Sequence, residues 1–209
     1  MNLEFIDPGH RYLMDGREVP SVTRVIAPLQ DFSRVPPDRL EAARVFGQDV
    51  HTACELADLG NLDEEHLQRE SPEVFACLTA WRRFTVECKP TWYGIEEIVG
   101  HARRRYAGRL DRRGLALLKL SGRRQPVHGV FDIKSSLDDE HASHGVQIAG
   151  YADAVESMDG LSPTKYRRFS VHLSRDGTYR LREWTDPSDL PTFISCLTVL
   201  GWQQKHLRR

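Results

Sequence analysis

The chain has 209 residues, of which 40% are hydrophobic and 28% charged, and its formal net charge is −1. This length suits one domain with its own core, and the composition is that of a folded protein rather than a disordered one. No apolar run approaches the roughly 20 residues that cross a membrane, and the N-terminus lacks the pattern of a signal peptide. We therefore predict a single domain over residues 1–209 and no membrane contact.

Cysteine spacing and charge distribution are more informative than the totals. The four cysteines form no CxxC pair, and such isolated cysteines are typical of free thiols in a reducing cytoplasm. They are Cys54, Cys77, Cys88 and Cys196. Residues 101–124 contain nine Lys or Arg and one acid, whereas residues 55–73 contain seven acids and one Arg. Such segregation can focus an electrostatic field, but two solvated faces of opposite charge explain it equally well.

In chain order, the first predicted element is a β-hairpin at about residues 10–20. The turn dipeptide Asp15-Gly16 separates its two short strands. Ser21 or Thr23 would cap a short helix that runs through Leu29.

Two longer helices follow, because apolar residues recur at helical spacing over residues 39–59 and 72–88. Asp38 would cap the first of these helices and Gly60 would end it. Pro72 would begin the second helix, since proline is tolerated in the first turn.

The second half of the chain then changes to the period of strands. Four successive strands are predicted between glycines and arginine-rich turns: TWYGIEEIVGH, RYAGRLDRRG, LALLKL and QPVHGVFDIKSS. SHGVQIAGYADAVESM predicts a helix, KYRRFSVHLS and TYRLREWT predict a hairpin, and Asp186 or Ser188 begins a final helix over about residues 187–207. The predicted fold class is α/β of the mixed α+β kind, with a central mixed sheet flanked by helices.

The strand VHGVFDIKSS carries an aspartate and a lysine near its otherwise apolar end. Residues two apart in a strand point the same way, so Asp132 and Lys134 share one face while Ile133 points into the core. The pair is either a structural ion pair or a metal ligand beside a charge-stabilising amine, and the pattern leaves both open.

The preceding strand carries GRLD, in which Gly108 permits a close backbone approach three residues before Asp111. If the strands pair, Asp111 and Asp132 can converge, and adjacent carboxylates repel unless a cation lies between them. Mg²⁺ or Mn²⁺ suits such an oxygen-rich site, to which the Ile133 carbonyl could add a ligand. Lys134 would then orient or help deprotonate an attacking water and offset charge on phosphorus.

Several motifs resemble, in order, those of the PD-(D/E)XK nuclease superfamily, in its RecB-like and phage-type exonuclease branch. GRLD followed by FDIK resembles the GxxD…DxK core, FGQDVHTACEL the GxxxH helix motif, and QIAGY the QxxxY helix motif. The opening HRYLMDGREVPSVTRVI is similar to the start of phage-encoded RecB-type exonucleases. The resemblance, which covers about residues 10–151, implies a restriction-endonuclease-like core.

The resemblance also implies roles for individual residues. Asp111 and Asp132 match the metal-binding acids, and Lys134 matches the catalytic lysine. His51 resembles the helix histidine that adds a nitrogen ligand to the metal. A hydrogen-bonded helix histidine is the alternative at that position.

Gln147 and Tyr151 are four residues apart, so both project from one helix face. In the family this face looks onto the active site and holds Lys134 or a DNA phosphate, whereas simple helix packing is the alternative. Glu96 or Glu97 could neighbour the site, because relatives often have an acid on that strand. We expect an exposed strand acid there and leave both out of the metal set.

Some relatives hold an iron–sulfur cluster with one cysteine before the nuclease core and three after it. Only Cys196 follows the core here, so no such cluster is expected. Arginines around the Asp111 strand are predicted to contact DNA phosphates without reading sequence: Arg103, Arg104, Arg105, Arg109 and Arg112.

The resemblance implies a Mg²⁺- or Mn²⁺-dependent deoxyribonuclease of the cytoplasm, in a bacterial or phage-infected cell. We favour an exonuclease that acts in DNA recombination or DNA-end processing. A structure- or sequence-specific endonuclease on the same core, and a catalytically inactive DNA-binding module, are the alternatives. A single-strand annealing protein is a candidate partner by family analogy, and a homo-oligomer is left open.

Overall fold

The computed structural model describes residues 1–7, 9–136, 141–160 and 166–207. A small sheet contains β1 (Leu3–Ile6), β2 (Arg11–Met14) and β3 (Arg17–Val19). A larger sheet contains β4 (Thr91–His101), β5 (Tyr106–Leu120), β6 (Arg123–Lys134), β7 (Arg167–Leu173) and β8 (Tyr179–Glu183). The helices are α1 (Val22–Ile26), α2 (Pro37–Asp58), α3 (Glu64–Glu70), α4 (Pro72–Cys88), α5 (Ser143–Asp159) and α6 (Asp189–His206), and a 3-10 turn covers Ala27–Leu29.

The larger sheet is mixed. Its strands lie in the order β4-β5-β6-β7-β8, and every neighbouring pair is antiparallel except β6 and β7, which are parallel and connected through α5. The predicted class, a mixed α/β fold with helices on a central sheet, is confirmed.

Helices cover both faces of this sheet. One core cluster packs α2 and α4 against it, with the Phe84 ring 6.1 Å from the ring of the sheet residue Phe131 and Trp81 stacked on Phe84. The second cluster packs α1, α5 and α6 against the opposite face, around Tyr106 and Phe193. Polar residues on α2 and on α5 therefore approach the sheet from opposite faces.

The N-terminal hairpin is confirmed as the antiparallel pair β2 and β3. Asp15 and Gly16 have φ values of 51° and 73°, the left-handed conformations that a tight hairpin turn requires. The small sheet joins the larger one near the start of β5, where the Ala107 amide donates to the Pro20 carbonyl at 3.0 Å.

Some local predictions were wrong. The α2 helix begins at Pro37, before the predicted cap Asp38, because a first-turn proline lacks only an N–H that would have no partner. RYAGRLDRRG and LALLKL form one strand, β5, which continues through Gly114. A Cβ there would lie 2.2 Å from the Thr91 carbonyl oxygen, so this glycine serves close strand packing rather than a break. The β1 strand and the α3 helix were not predicted, and Lys165, which begins KYRRFSVHLS, lies outside the described residues.

Within the described ranges, none of the helices combines the length and the apolar character that a bilayer span requires.

Candidate active site

A cleft of about 380 Å³ opens where α2, the first strands of the larger sheet and α5 meet. It is lined by the side chains predicted from several separate motifs: His51, Asp111, Asp132, Lys134, Gln147 and Tyr151. Glu96 and Arg109 line the same cleft. A cavity of about 450 Å³ beside β7 and β8 contains none of these residues. The chemistry-bearing residues therefore share one site.

The pairing of β5 with β6 brings Asp111 and Asp132 together. Arg112 pairs with Phe131 in this antiparallel ladder, so the two acids lie opposite each other at its end. Asp111 Oδ2 accepts a hydrogen bond from the Ile133 amide at 2.6 Å. Both acids are buried, at 8% and 3% exposure. Both acids line the same cleft, which is the convergence that the sequence-based hypothesis requires.

Lys134 lies between this acid pair and α5. Its Nζ is 2.7 Å from Asp132 Oδ2 and donates to Gln147 Oε1 at 3.3 Å. Ile133 packs into the opposite core cluster, as the strand alternation predicts. The lysine thus forms an ion pair and also faces the cleft, so its position meets the geometric requirement of both roles.

Tyr151 closes the site from α5 and approaches the sheet at Gly108. A Cβ at Gly108 would lie 2.7 Å from Tyr151 Cε1. Only a glycine therefore lets this ring reach the site. Burial, with the nearby charges of Asp111 and Asp132, raises the pKa of Tyr151 well above its ordinary value. The phenol stays neutral at physiological pH.

His51 reaches the acids from α2. Its Nε2 is hydrogen-bonded to the Ile133 carbonyl at 3.0 Å, while Nδ1 lies 3.5 Å from Asp111 Oδ1 and 3.8 Å from Glu96 Oε1. Burial lowers the pKa of His51, but the carboxylates of Asp111 and Glu96 outweigh it and raise the pKa to about 10. The Ile133 carbonyl, predicted as a further ligand, is engaged by this hydrogen bond and keeps one lone pair.

The expectation that Glu96 is an exposed strand acid is wrong. Its side chain is 9% exposed and contacts His51, Arg109 and Arg112. Ile95 and Glu97 pair with residues of β5, whereas Glu96 between them does not. Glu96 has a φ of 47° and lies across from Asp111. This irregularity turns the carboxylate into the site. Two consecutive acids in an otherwise apolar strand are a sequence signal of a functional carboxylate, but only the strand geometry decides which of the two faces inward.

Three side chains could hold a metal ion in the described part of the chain. One ligand atom each from His51, Glu96 and Asp111 lies within 4.8 Å of the other two. Asp132 is outside this close triad but lines the same cleft, with its buried Oδ2 paired with the Lys134 amine at 2.7 Å. Three carboxylates and one imidazole are a donor set that suits Mg²⁺ or Mn²⁺. The residues therefore fit a hard divalent cation.

The two central acids differ in proton affinity. Burial and the charge of Asp111 raise the pKa of Asp132 to about 6, although Lys134 opposes this. Burial also raises the pKa of Asp111, but the His51 cation and the Ile133 amide outweigh it, and the net pKa is lowered. Asp111 is thus ionised across the neutral range, whereas Asp132 changes charge near pH 6.

The five arginines predicted to bind DNA lie in different environments. Arg112 is fully buried, so its predicted role as a phosphate contact is wrong. Arg104 and Arg105 form ion pairs with Asp153 and Asp15 respectively. Arg109 is half-exposed beside Glu96 in the cleft, and Arg103 is exposed in the β4–β5 turn. Of these five arginines, Arg109 is therefore the one that lines the cleft.

No protein-family model and no curated protein matches the chain.

Proposed function

We propose that the protein is a Mg²⁺- or Mn²⁺-dependent deoxyribonuclease, and specifically an exonuclease of DNA recombination or DNA-end processing. One observation carries the proposal: a single cleft collects His51, Glu96, Asp111 and Asp132 with the Lys134 amine beside them. The resemblance to RecB-like PD-(D/E)XK nucleases implies His51, Asp111, Asp132 and Lys134 for a phosphodiester-cleaving site, and the structure adds Glu96 to them.

His51, Glu96, Asp111 and Asp132 would hold the divalent ion. When bound, the ion supplies a Lewis acid for a phosphate oxygen and lowers the pKa of a water molecule. Asp132 must be ionised to bind a cation, and its raised pKa makes that condition pH-dependent near pH 6.

Lys134 would act on the phosphate that undergoes hydrolysis. Water adds to phosphorus, one P–O ester bond breaks, and the leaving alcohol takes a proton, so negative charge grows on the phosphate oxygens during the attack. An ammonium held at a fixed place stabilises that charge, because it needs no reorganisation as the reaction proceeds. The contacts of Lys134 with Asp132 and Gln147 hold it there.

DNA is the proposed partner, and Arg109 and Arg103 are the proposed phosphate contacts. Phosphate contacts of this kind bind DNA of any sequence. A cytoplasmic location belongs to the same proposal and is supported by the free cysteines as well as by the family resemblance. A single-strand annealing partner rests on family analogy alone, and a homo-oligomer stays open.

The deciding experiment compares linear and covalently closed circular DNA, with Mg²⁺, with Mn²⁺ and with EDTA. We expect metal-dependent degradation of linear DNA and an intact circle. Discrete products from the circle would instead indicate an endonuclease. Retention of DNA without cleavage under all three conditions would indicate a binding module and contradict the proposed activity.

A further inference from the structure

The α2 helix reaches the site at two points on one face. His51 and Asp58 are seven residues apart, a spacing that puts both on the same side of a helix. His51 contacts the carboxylates directly. Asp58 does not, but its Oδ2 accepts a hydrogen bond from Arg112 Nε at 2.8 Å. Asp58 is therefore linked to the site through one other side chain.

Arg112 connects Asp58 to the cluster. Its Nη1 donates to Glu96 Oε1 at 3.1 Å and to the Asp111 carbonyl oxygen at 2.6 Å. Its guanidinium lies over the Trp81 ring, 5.5 Å from the centroid, and Trp81 Nε1 donates to the other Asp58 oxygen at 3.1 Å. The guanidinium is thus held on one side by Asp58 and Trp81 and contacts two members of the metal triad on the other.

Burying this charge is costly, and stability alone is a weak reason to keep it. Arg112 has no exposed surface, and its Nη2 has no hydrogen-bond partner among the described residues. Replacing a buried ion pair by apolar side chains is often neutral or stabilising. The rigid, planar fork of a guanidinium, in contrast, can fix the orientation of a carboxylate in a way that a lysine cannot.

We propose that Arg112, held by Asp58 and Trp81, is a positioning residue that fixes the Glu96 carboxylate for binding of the divalent ion. The inference rests on the metal site of the proposed function. Residues that orient metal ligands typically change metal affinity 10- to 100-fold when they are altered.

The test is a double-mutant cycle on Mn²⁺ affinity, measured by calorimetry without DNA. D58N removes the charge that holds Arg112 but leaves the cluster residues in place, and R112K keeps the charge but loses the fork. We expect each to weaken Mn²⁺ binding by about tenfold or more. In an E96Q background, D58N should not weaken Mn²⁺ binding further, because the carboxylate that Arg112 orients is already gone. R113K is the matched control, because the adjacent Arg113 binds Glu97 and Asp159 instead.

The outcomes separate this inference from the proposed function. Unchanged Mn²⁺ affinity in a folded D58N protein, or an equal loss in the wild-type and E96Q backgrounds, overturns the positioning role alone. A positioning effect in a protein that cleaves no DNA overturns the nuclease alone. A wild-type protein that binds no Mn²⁺ overturns both. If R112K fails to fold, D58N with and without E96Q still decides.

Discussion

The carboxylate of Asp111 accepts a hydrogen bond from the backbone amide of Ile133, at 2.6 Å. Because Ile133 stands between Asp132 and Lys134 in the chain, this bond fixes Asp111 beside both functional candidates of β6. The bond also helps to lower the pKa of Asp111, while the pKa of Asp132 is raised to about 6. Paired groups whose pKa values diverge are typical of functional sites.

Replacing Lys134 by alanine tests the amine directly. The rate of DNA cleavage should fall by at least about 100-fold, because the charge that stabilises the transition state is lost. DNA binding, measured by fluorescence anisotropy with Ca²⁺, should be nearly unchanged. Lys119→Ala is the matched control, since Lys119 is exposed near the far end of β5. Full activity in Lys134→Ala would remove the lysine from the mechanism.

Asp132→Asn should stabilise the metal-free protein while abolishing Mn²⁺-dependent cleavage. A carboxyl with a raised pKa is destabilising when ionised, so the wild type loses stability as the pH rises through about 6. At pH 8 the asparagine variant should gain about 1 to 3 kcal/mol in the free energy of unfolding. The gain should vanish below about pH 4, where both states are protonated. Chemical denaturation in EDTA measures this, with the exposed Asp49→Asn as control; a loss of stability at pH 8 would contradict the pKa assignment.

His51 should make the metal-free protein less stable at alkaline pH. Its pKa is raised to about 10, so the stabilising contribution of the cation is fully present below about pH 6.5 and lost as the pH rises through about 10. His51→Gln should remove this dependence. A ligating imidazole must lose its proton, so Mn²⁺ binding at pH 8 should release protons. Calorimetry in two buffers of different ionisation enthalpy measures the release, and an enthalpy independent of the buffer would argue against His51 as a ligand.

Arginine variants should separate burial from DNA contact. Arg112→Ala should lower the free energy of unfolding by about 3 to 5 kcal/mol, because it leaves Asp58 and Glu96 without their buried partner.

Arg109→Ala should weaken DNA binding and reduce the slope of log affinity against log salt by about 1. Thermal unfolding and anisotropy at several salt concentrations give both numbers. A stable Arg112→Ala protein with weakened DNA binding would restore Arg112 as a DNA contact.

Much of the fold was predictable from periodicity. The hairpin at Asp15-Gly16, the helix over 72–88 and the apolar alternation around Ile133 are local patterns, and local patterns survive because each is satisfied by its own neighbours. The predictions failed at Gly114, where a glycine signals a turn in sequence but is required by the close approach of β4. The β5 sequence alone does not indicate how closely β4 packs against it.

Strand alternation and helix periodicity predicted which residues of β6 and α5 face the cleft, because both patterns are local and do not depend on what surrounds the element. The inclusion of Glu96 rather than Glu97 in the acid cluster, and the burial of Arg112 beside it, could not be predicted in this way and follow from long-range packing. The orientation of Glu96 depends on the irregular pairing of β4 with β5. The burial of Arg112 depends on Asp58 of α2 and Trp81 of α4, which are distant from it in the sequence. Burial and charge pairing are properties of such long-range contacts, and they are absent from the pattern of either strand alone.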